Sequence, residues 1–126
     1  MNTLAFDSAI PVHTIHLLTV SRWDDEPLDI MMAFTSTEKA EKFVHIQKGI
    51  YFPWKVWRIV ECELRTESDE DVDKVYTLVV STVDDEPTDI LISFESERRA
   101  KEYVKEQKDA KTFSYVSYEI IESDLH

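Results

Sequence analysis

A seven-residue pattern that occurs twice in this chain constrains its fold more than any other feature. The sequence DDEPLDI begins at Asp24, and DDEPTDI begins at Asp84. When residues 12–48 are set against residues 72–108, identical residues continue on both sides of the pattern, among them Leu18 and Leu78, Val20 and Val80, Phe34 and Phe94, and Ala40 and Ala100. A repeat of this kind indicates one supersecondary unit present in two copies.

Each repeat begins with a predicted β-hairpin. In the first repeat, the apolar and β-branched run at residues 12–22 predicts a strand, and residues 28–34 predict the strand that returns. Residues 24–27 lie between them and predict a turn, because Asp favours turns and Pro removes a hydrogen-bond donor from the ladder. The second repeat has the same order, with strands predicted at residues 75–83 and 88–94.

A helix and a third strand follow each hairpin. Ser36 and Ser96 are the predicted helix N-caps, and apolar residues recur after each of them at helical spacing. Residues 54–64 and 112–121 predict the last strands, and the spacing between equivalent positions grows by one residue in the loop before the second of these strands. Each unit is therefore predicted to have the order ββαβ.

The predicted fold class is α+β, with a tandem duplication of the ββαβ unit in a single domain, residues 1–126. The first unit spans residues 12–64, an acidic linker spans 65–73, and the second unit spans 74–125. The strands are apolar on both faces, whereas one helix covers only one face of a three-stranded sheet. We therefore expect two mainly antiparallel three-stranded sheets, with six strands and two helices in total, packed together about a pseudo-two-fold axis.

The formal net charge of −12 limits the partners of the chain. It opposes direct binding to nucleic acids and to anionic membranes, and it suits a basic protein partner. Clustered carboxylates imitate phosphates, so a basic nucleic-acid-binding protein is one expected partner. The acidic residues predicted to contact it are those of the two turns: Asp24, Asp25, Glu26, Asp84, Asp85 and Glu86. The other explanation is that the negative charge serves solubility alone.

The sequence lacks the motifs that are typical of several kinds of chemistry. Gly49 is the only glycine, so the glycine-rich loops that bind nucleotide phosphates are excluded. The histidines and the single Cys62 do not have the spacing of a four-ligand zinc site. A nucleophilic cysteine needs a general base, and the sequence shows no pattern that places one beside Cys62. The acidic turns match no EF-hand spacing. We expect a non-enzymatic protein without cofactor or metal.

Cellular location is also an expectation from the sequence. One cysteine permits no internal disulfide, which fits a reducing compartment. The first residues do not resemble a signal peptide, and no apolar run is long enough to span a membrane. We expect a cytoplasmic protein that does not bind membranes.

Tyr51, Phe52 and Trp54 are the predicted apolar anchors of a contact surface. All three tryptophans lie in the first repeat, and this aromatic loop has no close counterpart in the second repeat. Large apolar groups on an exposed loop are typical of protein interfaces. The alternative is that these rings fill or cap the hydrophobic core, because aromatic residues dominate both settings.

These features predict an acidic protein-binding module, an inhibitory or accessory protein of the kind that phages use to occupy a host protein's surface. Exposed edge strands and the aromatic loop also favour a homodimer. The alternative function is a protein that binds or sequesters a small nucleotide-like ligand through the aromatic residues of the first repeat.

Overall fold

The protein, described from a computed structural model that covers residues 12–22, 29–66, 72–81 and 89–126, has an α+β fold with six strands and two helices. In chain order, the elements are β1 (Val12–Ser21), β2 (Asp29–Phe34), α1 (Thr37–Lys48), β3 (Val56–Arg65), β4 (Lys74–Ser81), β5 (Asp89–Phe94), α2 (Glu97–Asp109) and β6 (Ser117–Asp124). We call residues 12–66 the first half and residues 72–126 the second half.

All six strands belong to one mixed sheet, in the order β2-β1-β3-β5-β4-β6. We expected two separate three-stranded sheets, and the structure has a single sheet instead. The halves join edge to edge where β3 and β5 pair in parallel, through Leu64 with Ser93 and Arg65 with Phe94. This pairing satisfies backbone groups that two separate sheets would have left on open edges.

The sheet curls until its two outer edges meet. Ala33 of β2 and Leu125, the residue after β6, form a parallel bridge. The carbonyl of Ala33 accepts a hydrogen bond of 2.9 Å from the amide of His126, and the amide of Thr35 donates one of 2.8 Å to the carbonyl of His126. The two halves are therefore connected along both of their outer edges.

The helices begin at the residues that the sequence predicts. The Ser36 hydroxyl accepts a hydrogen bond of 3.2 Å from the amide of Lys39, and the Ser96 hydroxyl accepts one of the same length from the amide of Arg99. Both serines have extended backbone, as N-caps do. Gly49 is the C-cap of α1 and has a right-handed backbone conformation with φ of −77°.

The two halves have the same strand register. Leu18 pairs with Met32 and Leu78 pairs with Ile92, and both ladders shift their register directly after these pairs. Positions in β1 and β2 therefore correspond to positions 60 residues later in β4 and β5.

Equivalent positions in the last strands are 61 residues apart, because Thr19 pairs with Arg58 whereas Val79 pairs with Glu119. We expected the additional residue in the loop before β6, but it lies at the end of α2, which has 13 residues where α1 has 12. The loops after the two helices are equally long. In the loop after α2, Lys111 takes a left-handed backbone conformation with φ of 60°.

The inner face of the curled sheet buries a cluster to which both halves contribute. Its buried members are Ile15, Leu17, Ala33, Cys62, Leu64 and Val75, and Ile30, Val72, Ile90 and Leu125 pack against them. Burying one large aliphatic side chain contributes about 1.5–3 kcal/mol. The shared cluster therefore stabilises the association of the two halves.

Each helix covers the outer face of its own half. In the first half, Ala40 and Val44 of α1 pack on a cluster formed by Leu18, Val20 and Phe34. In the second half, the equivalent Ala100 and Val104 of α2 pack on a cluster formed by Leu78, Val80, Ile92 and Phe94. The fold thus has one shared inner core and two separate outer cores.

The inner core also contains polar contacts, and these differ between the halves. The Ser93 hydroxyl lies 2.7 Å from the Thr77 hydroxyl and 3.4 Å from Cys62 Sγ. Ser123 is equivalent to Cys62, but Ala33 stands at the position equivalent to Ser93 and offers no hydroxyl. The buried Ser123 hydroxyl has no hydrogen-bond partner among the described residues.

Replacing Ser123 by Ala should therefore stabilise the protein by about 1 kcal/mol, because a buried hydroxyl without a partner costs about 1–3 kcal/mol. The free energy of unfolding in urea measures the effect. In contrast, Ser93→Ala should destabilise the protein, because it removes the hydroxyl to which the buried Thr77 hydroxyl is hydrogen-bonded. A loss of stability in Ser123→Ala would show that this hydroxyl is hydrogen-bonded after all.

Candidate functional site at the end of the first helix

The acidic residues predicted to contact a partner are Asp24, Asp25, Glu26, Asp84, Asp85 and Glu86. All six lie outside the described residues. The predicted electrostatic contact therefore remains a prediction, and the candidate site is built from the aromatic loop after α1.

The structure places the three predicted aromatic anchors in two different settings. Tyr51 is exposed over 71% of its surface. Phe52 and Trp54 are half-buried, and both pack against the outer core of the first half, together with Trp57 of β3. Tyr51 thus remains a predicted contact residue, whereas Phe52 and Trp54 chiefly pack the loop against the outer core.

Two cations lie over the rings that support the loop. The Lys48 ammonium is 5.2 Å from the centre of the Trp57 ring and 5.9 Å from that of Phe52. The Arg22 guanidinium is 5.3 Å from the centre of the Trp54 ring. Such cation–π contacts contribute about 0.5–1 kcal/mol each at exposed sites, and they cover the ring faces.

The second half has a similar arrangement, which the sequence comparison missed. The Lys108 ammonium lies 5.5 Å from the ring of Phe113 and 5.1 Å from that of Tyr118. Phe113 and Tyr118 are equivalent to Phe52 and Trp57. The aromatic support of the loop is therefore common to both halves, and the feature specific to the first half must be sought among its exposed residues.

Exposed apolar residues around the last turn of α1 distinguish the first half. Ile46, Ile50 and Tyr51 are 47%, 75% and 71% exposed, and we call these three residues the α1-end patch. The amides of Ile50 and Tyr51 both donate hydrogen bonds to the carbonyl of Gln47, which fixes the loop against the helix end.

The second half has Glu106, Lys111 and Thr112 at the positions equivalent to the patch, because Gly49 and Ala110 are the C-caps of the two helices. It does expose Val116 and Tyr118, but Val116 lies directly before β6 and Tyr118 within its first residues, and neither lies at the helix end. Comparing the helix ends of the repeats, rather than their loops alone, would have revealed Ile46 and Ile50 from the sequence.

Replacing Trp54 or Phe52 by Ala should destabilise the protein by about 1–3 kcal/mol, because each truncation removes packing from the outer core. Tyr51→Ala should change the unfolding free energy by less than about 0.5 kcal/mol, since an exposed ring makes little packing. Chemical denaturation followed by tryptophan fluorescence distinguishes the three variants. Equal costs for all three would contradict the two settings described above.

Cys62 lies in the inner core and is not part of the patch. Burial raises the pKa of its thiol above the ordinary value, an effect that the hydrogen bond to Ser93 opposes and the nearby charge of Glu63 reinforces. The thiol is therefore protonated at neutral pH, and its sulfur is inaccessible to a substrate. In the described part of the chain, no group of three or more His, Cys, Asp and Glu residues is placed to hold a metal ion.

We expect a thiol reagent to label Cys62 slowly in the folded protein at neutral pH and rapidly in urea. Because the folded state raises the pKa, the contribution of this group to stability is present below the ordinary thiol pKa of 9.0 and is lost as the pH rises further. Labelling kinetics measure the accessibility of the thiol, and urea denaturation at several pH values measures its contribution to stability. A native labelling rate equal to the rate in urea would show that the thiol is accessible.

The remaining observations concern the chain as a whole. Among the residues described, neither helix has the length and apolar character needed to cross a membrane. Comparison with known proteins finds no matching family model, no matching curated protein and no matching solved structure.

Proposed function

We propose that this chain is a non-enzymatic protein-binding module, an inhibitory or accessory protein that occupies a surface of its partner. The observation that carries the proposal is the α1-end patch. Two isoleucines and a tyrosine lie exposed together around one helix end, where the second half has a glutamate, a lysine and a threonine.

The composition of the patch suits a protein contact. Aromatic residues are enriched at interfaces, and a small central group of apolar side chains often supplies most of the binding free energy. Exposed aliphatic groups gain free energy when a partner removes them from water, at about 25 cal/mol per Å².

The support beneath the patch favours binding because it reduces the entropy cost of ordering the loop. Phe52 and Trp54 pack on the outer core, and the amide of Tyr51 donates a hydrogen bond of 2.7 Å to the carbonyl of Gln47. A loop held in this way loses less conformational freedom on binding than a loop without such contacts.

The test uses the triple variant Ile46→Glu, Ile50→Ala and Tyr51→Thr. Glu and Thr are the residues that the second half has at the positions equivalent to Ile46 and Tyr51, and Ala only truncates the exposed Ile50 side chain, so the backbone should accept all three changes. The immobilised wild-type protein should capture a partner from a lysate of the source cells, and the variant should not. With the partner purified, the dissociation constant should rise at least about thirty-fold, which corresponds to about 2 kcal/mol of lost apolar contact.

A matched control places substitutions on the equivalent surface of the second half, at Glu106→Ala and Thr112→Ala. This control should bind the partner as the wild type does. Circular dichroism and the urea midpoint establish that all three proteins are folded. Unchanged binding by the folded triple variant would refute the α1-end patch as the contact.

The acidic turns add a second element to the proposal. With a formal charge of −12, the chain would attract a basic partner, including a protein that normally binds nucleic acid. Self-association through the same patch is also compatible with an exposed apolar surface, and light scattering of the wild type and the triple variant distinguishes a homodimer from a complex with another protein.

The alternative function, binding of a nucleotide-like ligand, would use the aromatic residues of the first half as a stacking surface. Lys48 and Arg22 already cover the rings of Phe52, Trp54 and Trp57, so a planar ligand would have to displace them. Tyr51 is the exposed ring of this loop. We therefore place this function second.

We also propose that the two halves arose by duplication of one ββαβ unit. The equal register of their hairpins, the register shift at the same position and the serine N-caps support this origin. A common origin explains why a lysine packed on aromatic rings occurs at both helix ends. The patch would then be a later difference on a common scaffold.

A further inference from the structure

The last strand, β6, is paired along its whole length on one side only. An antiparallel ladder without a register shift joins it to β4 from Ser117 to Asp124. On its other side, the only strand pairing among the described residues is the bridge between Ala33 and Leu125, and Leu125 lies beyond the end of β6. The strand therefore has an open edge from Ser117 to Asp124.

The hydrogen bonds around Leu125 show which backbone groups face this edge. Alternate residues of an antiparallel strand direct both amide and carbonyl toward the paired strand, and the residues between them direct both away. The amide of Leu125 donates a hydrogen bond of 2.8 Å to the carbonyl of Asp73, which lies opposite it in the register of β4 and β6. Tyr118, Ile120 and Glu122 have the opposite phase, so their amides and carbonyls face away from β4.

His126 has the same phase as these three residues, and it shows that the edge accepts a strand. Its amide donates a hydrogen bond of 2.9 Å to the carbonyl of Ala33, and its carbonyl accepts one of 2.8 Å from the amide of Thr35. Within the described part of the chain, the edge-facing backbone groups of β6 itself have no such partner. A row of this kind is a template for pairing with an extended segment of another chain.

The side chains along the open edge are acidic and partly apolar. β6 contains Glu119, Glu122 and Asp124 and no basic residue. Glu122 forms an ion pair of 2.7 Å with Lys74 of β4, whereas Glu119 is exposed and has no ion pair among the described residues. Ile121 is half-buried and lies on the same face of the strand as Glu119. The edge thus offers one carboxylate and an apolar surface beside it.

The equivalent strand of the first half, β3, differs in both charge and exposure. It contains two arginines and two glutamates, so its charges cancel, whereas the three acids of β6 give that strand a charge of −3. Arg58 stands at the position of Glu119. The first two residues of β3 are half-buried, and the first two of β6 are exposed. The fold therefore does not require an acidic and accessible edge.

We propose that the open edge of β6 binds an extended basic segment of a partner protein as an additional strand. The backbone of the segment pairs with Tyr118, Ile120 and Glu122. A lysine or arginine of the segment meets Glu119, and an apolar residue two positions away covers Ile121. In this binding mode, main-chain hydrogen bonds give affinity and alternate side chains give specificity. The inference concerns a different surface from the α1-end patch and does not depend on it.

A second copy of the chain is the other partner that an open edge could pair with. Antiparallel pairing of two β6 edges would bring Glu119, Glu122 and Asp124 of one protomer near the same residues of the other. Like charges that face each other across a ladder are destabilising, and each protomer has a net charge of −12. The charges therefore favour a basic segment.

The test uses the full-length protein and a fluorescent nonapeptide, KTVTKTVTK, which places lysine and valine alternately on one face of a strand. Glutamate replaces lysine in a second peptide. Two further basic peptides carry N-methyl groups on alternate amides, one peptide for each phase. The protein variants are Glu119→Arg, which copies the first half, and Glu61→Arg, which makes the same change of charge at an exposed position of β3.

We expect the basic peptide to bind the wild type and the glutamate peptide not to bind. Glu119→Arg should weaken binding about ten-fold at low salt, an effect that high salt reduces, whereas Glu61→Arg should bind like the wild type. Only one of the two N-methylated peptides should bind, because only one phase of a strand faces β6. Circular dichroism and the urea midpoint establish that both variants are folded.

Amide exchange followed by NMR locates the bound peptide. The amides of Tyr118, Ile120 and Glu122 should exchange rapidly in the free protein and slowly with the basic peptide, whereas those of Glu119 and Ile121 should be slow in both. Equal binding of both N-methylated peptides, protection at another surface, or no binding at millimolar concentration would refute the proposal. The function proposed for the α1-end patch would stand in each case.

One further outcome names the other partner. If the edge amides are already protected in the free protein and light scattering shows a dimer that Glu119→Arg changes, a second copy occupies the edge in place of a basic segment. The triple variant of the α1-end patch should bind the basic peptide as the wild type does. Loss of binding in that variant would place the peptide on the patch and refute the edge as its site.

Discussion

The burial of one apolar cluster inside the curled sheet is the interaction on which the rest of this structure depends. Among the described residues, few direct backbone contacts join the halves: two residue pairs between β3 and β5, one bridge between Ala33 and Leu125, and the hydrogen bond between Thr35 and His126. A net backbone hydrogen bond contributes only about 0.5–1.5 kcal/mol. Hydrophobic burial of side chains such as Ile15, Leu17 and Val75 must therefore supply most of the free energy that holds the halves together.

This arrangement explains where the fold tolerates differences between its halves. In the inner core, Leu17 and Ala33 of the first half face the same space as Thr77 and Ser93 of the second half. The polar pair forms its own hydrogen bond, so the core accepts it. On the outside, each helix packs on its own half, and the surface beyond the helix end is free to acquire the α1-end patch.

The local elements could be predicted from the sequence because short-range chemistry determines them. The N-caps at Ser36 and Ser96 and the hairpins follow from residue types a few positions apart. The joining of the strands into one sheet could not be predicted, because periodicity shows which faces of a strand are apolar but not which edge finds a partner. The parallel pairing of Leu64 with Ser93 depends on such an edge.

The candidate site was predictable only in part, for a related reason. Sequence comparison singled out Tyr51, Phe52 and Trp54 by their size. Whether each ring is exposed or packs against the core, however, depends on its tertiary packing. Ile46 was not singled out, because one apolar residue within a helix does not by itself indicate a contact surface. Its exposure becomes informative only beside Ile50 and Tyr51, and the loop must be folded before the three are seen together.

The separation of one inner core from two outer cores has a consequence for changing this protein. A side chain in either outer core, such as Val44 or Val104, has neighbours from one half only, so substitutions there should combine additively between the halves. A side chain in the inner core touches both halves, and its replacement must suit both at once. Design or natural selection can therefore change the two outer cores independently of each other. Substitutions in the inner core must instead suit both halves together.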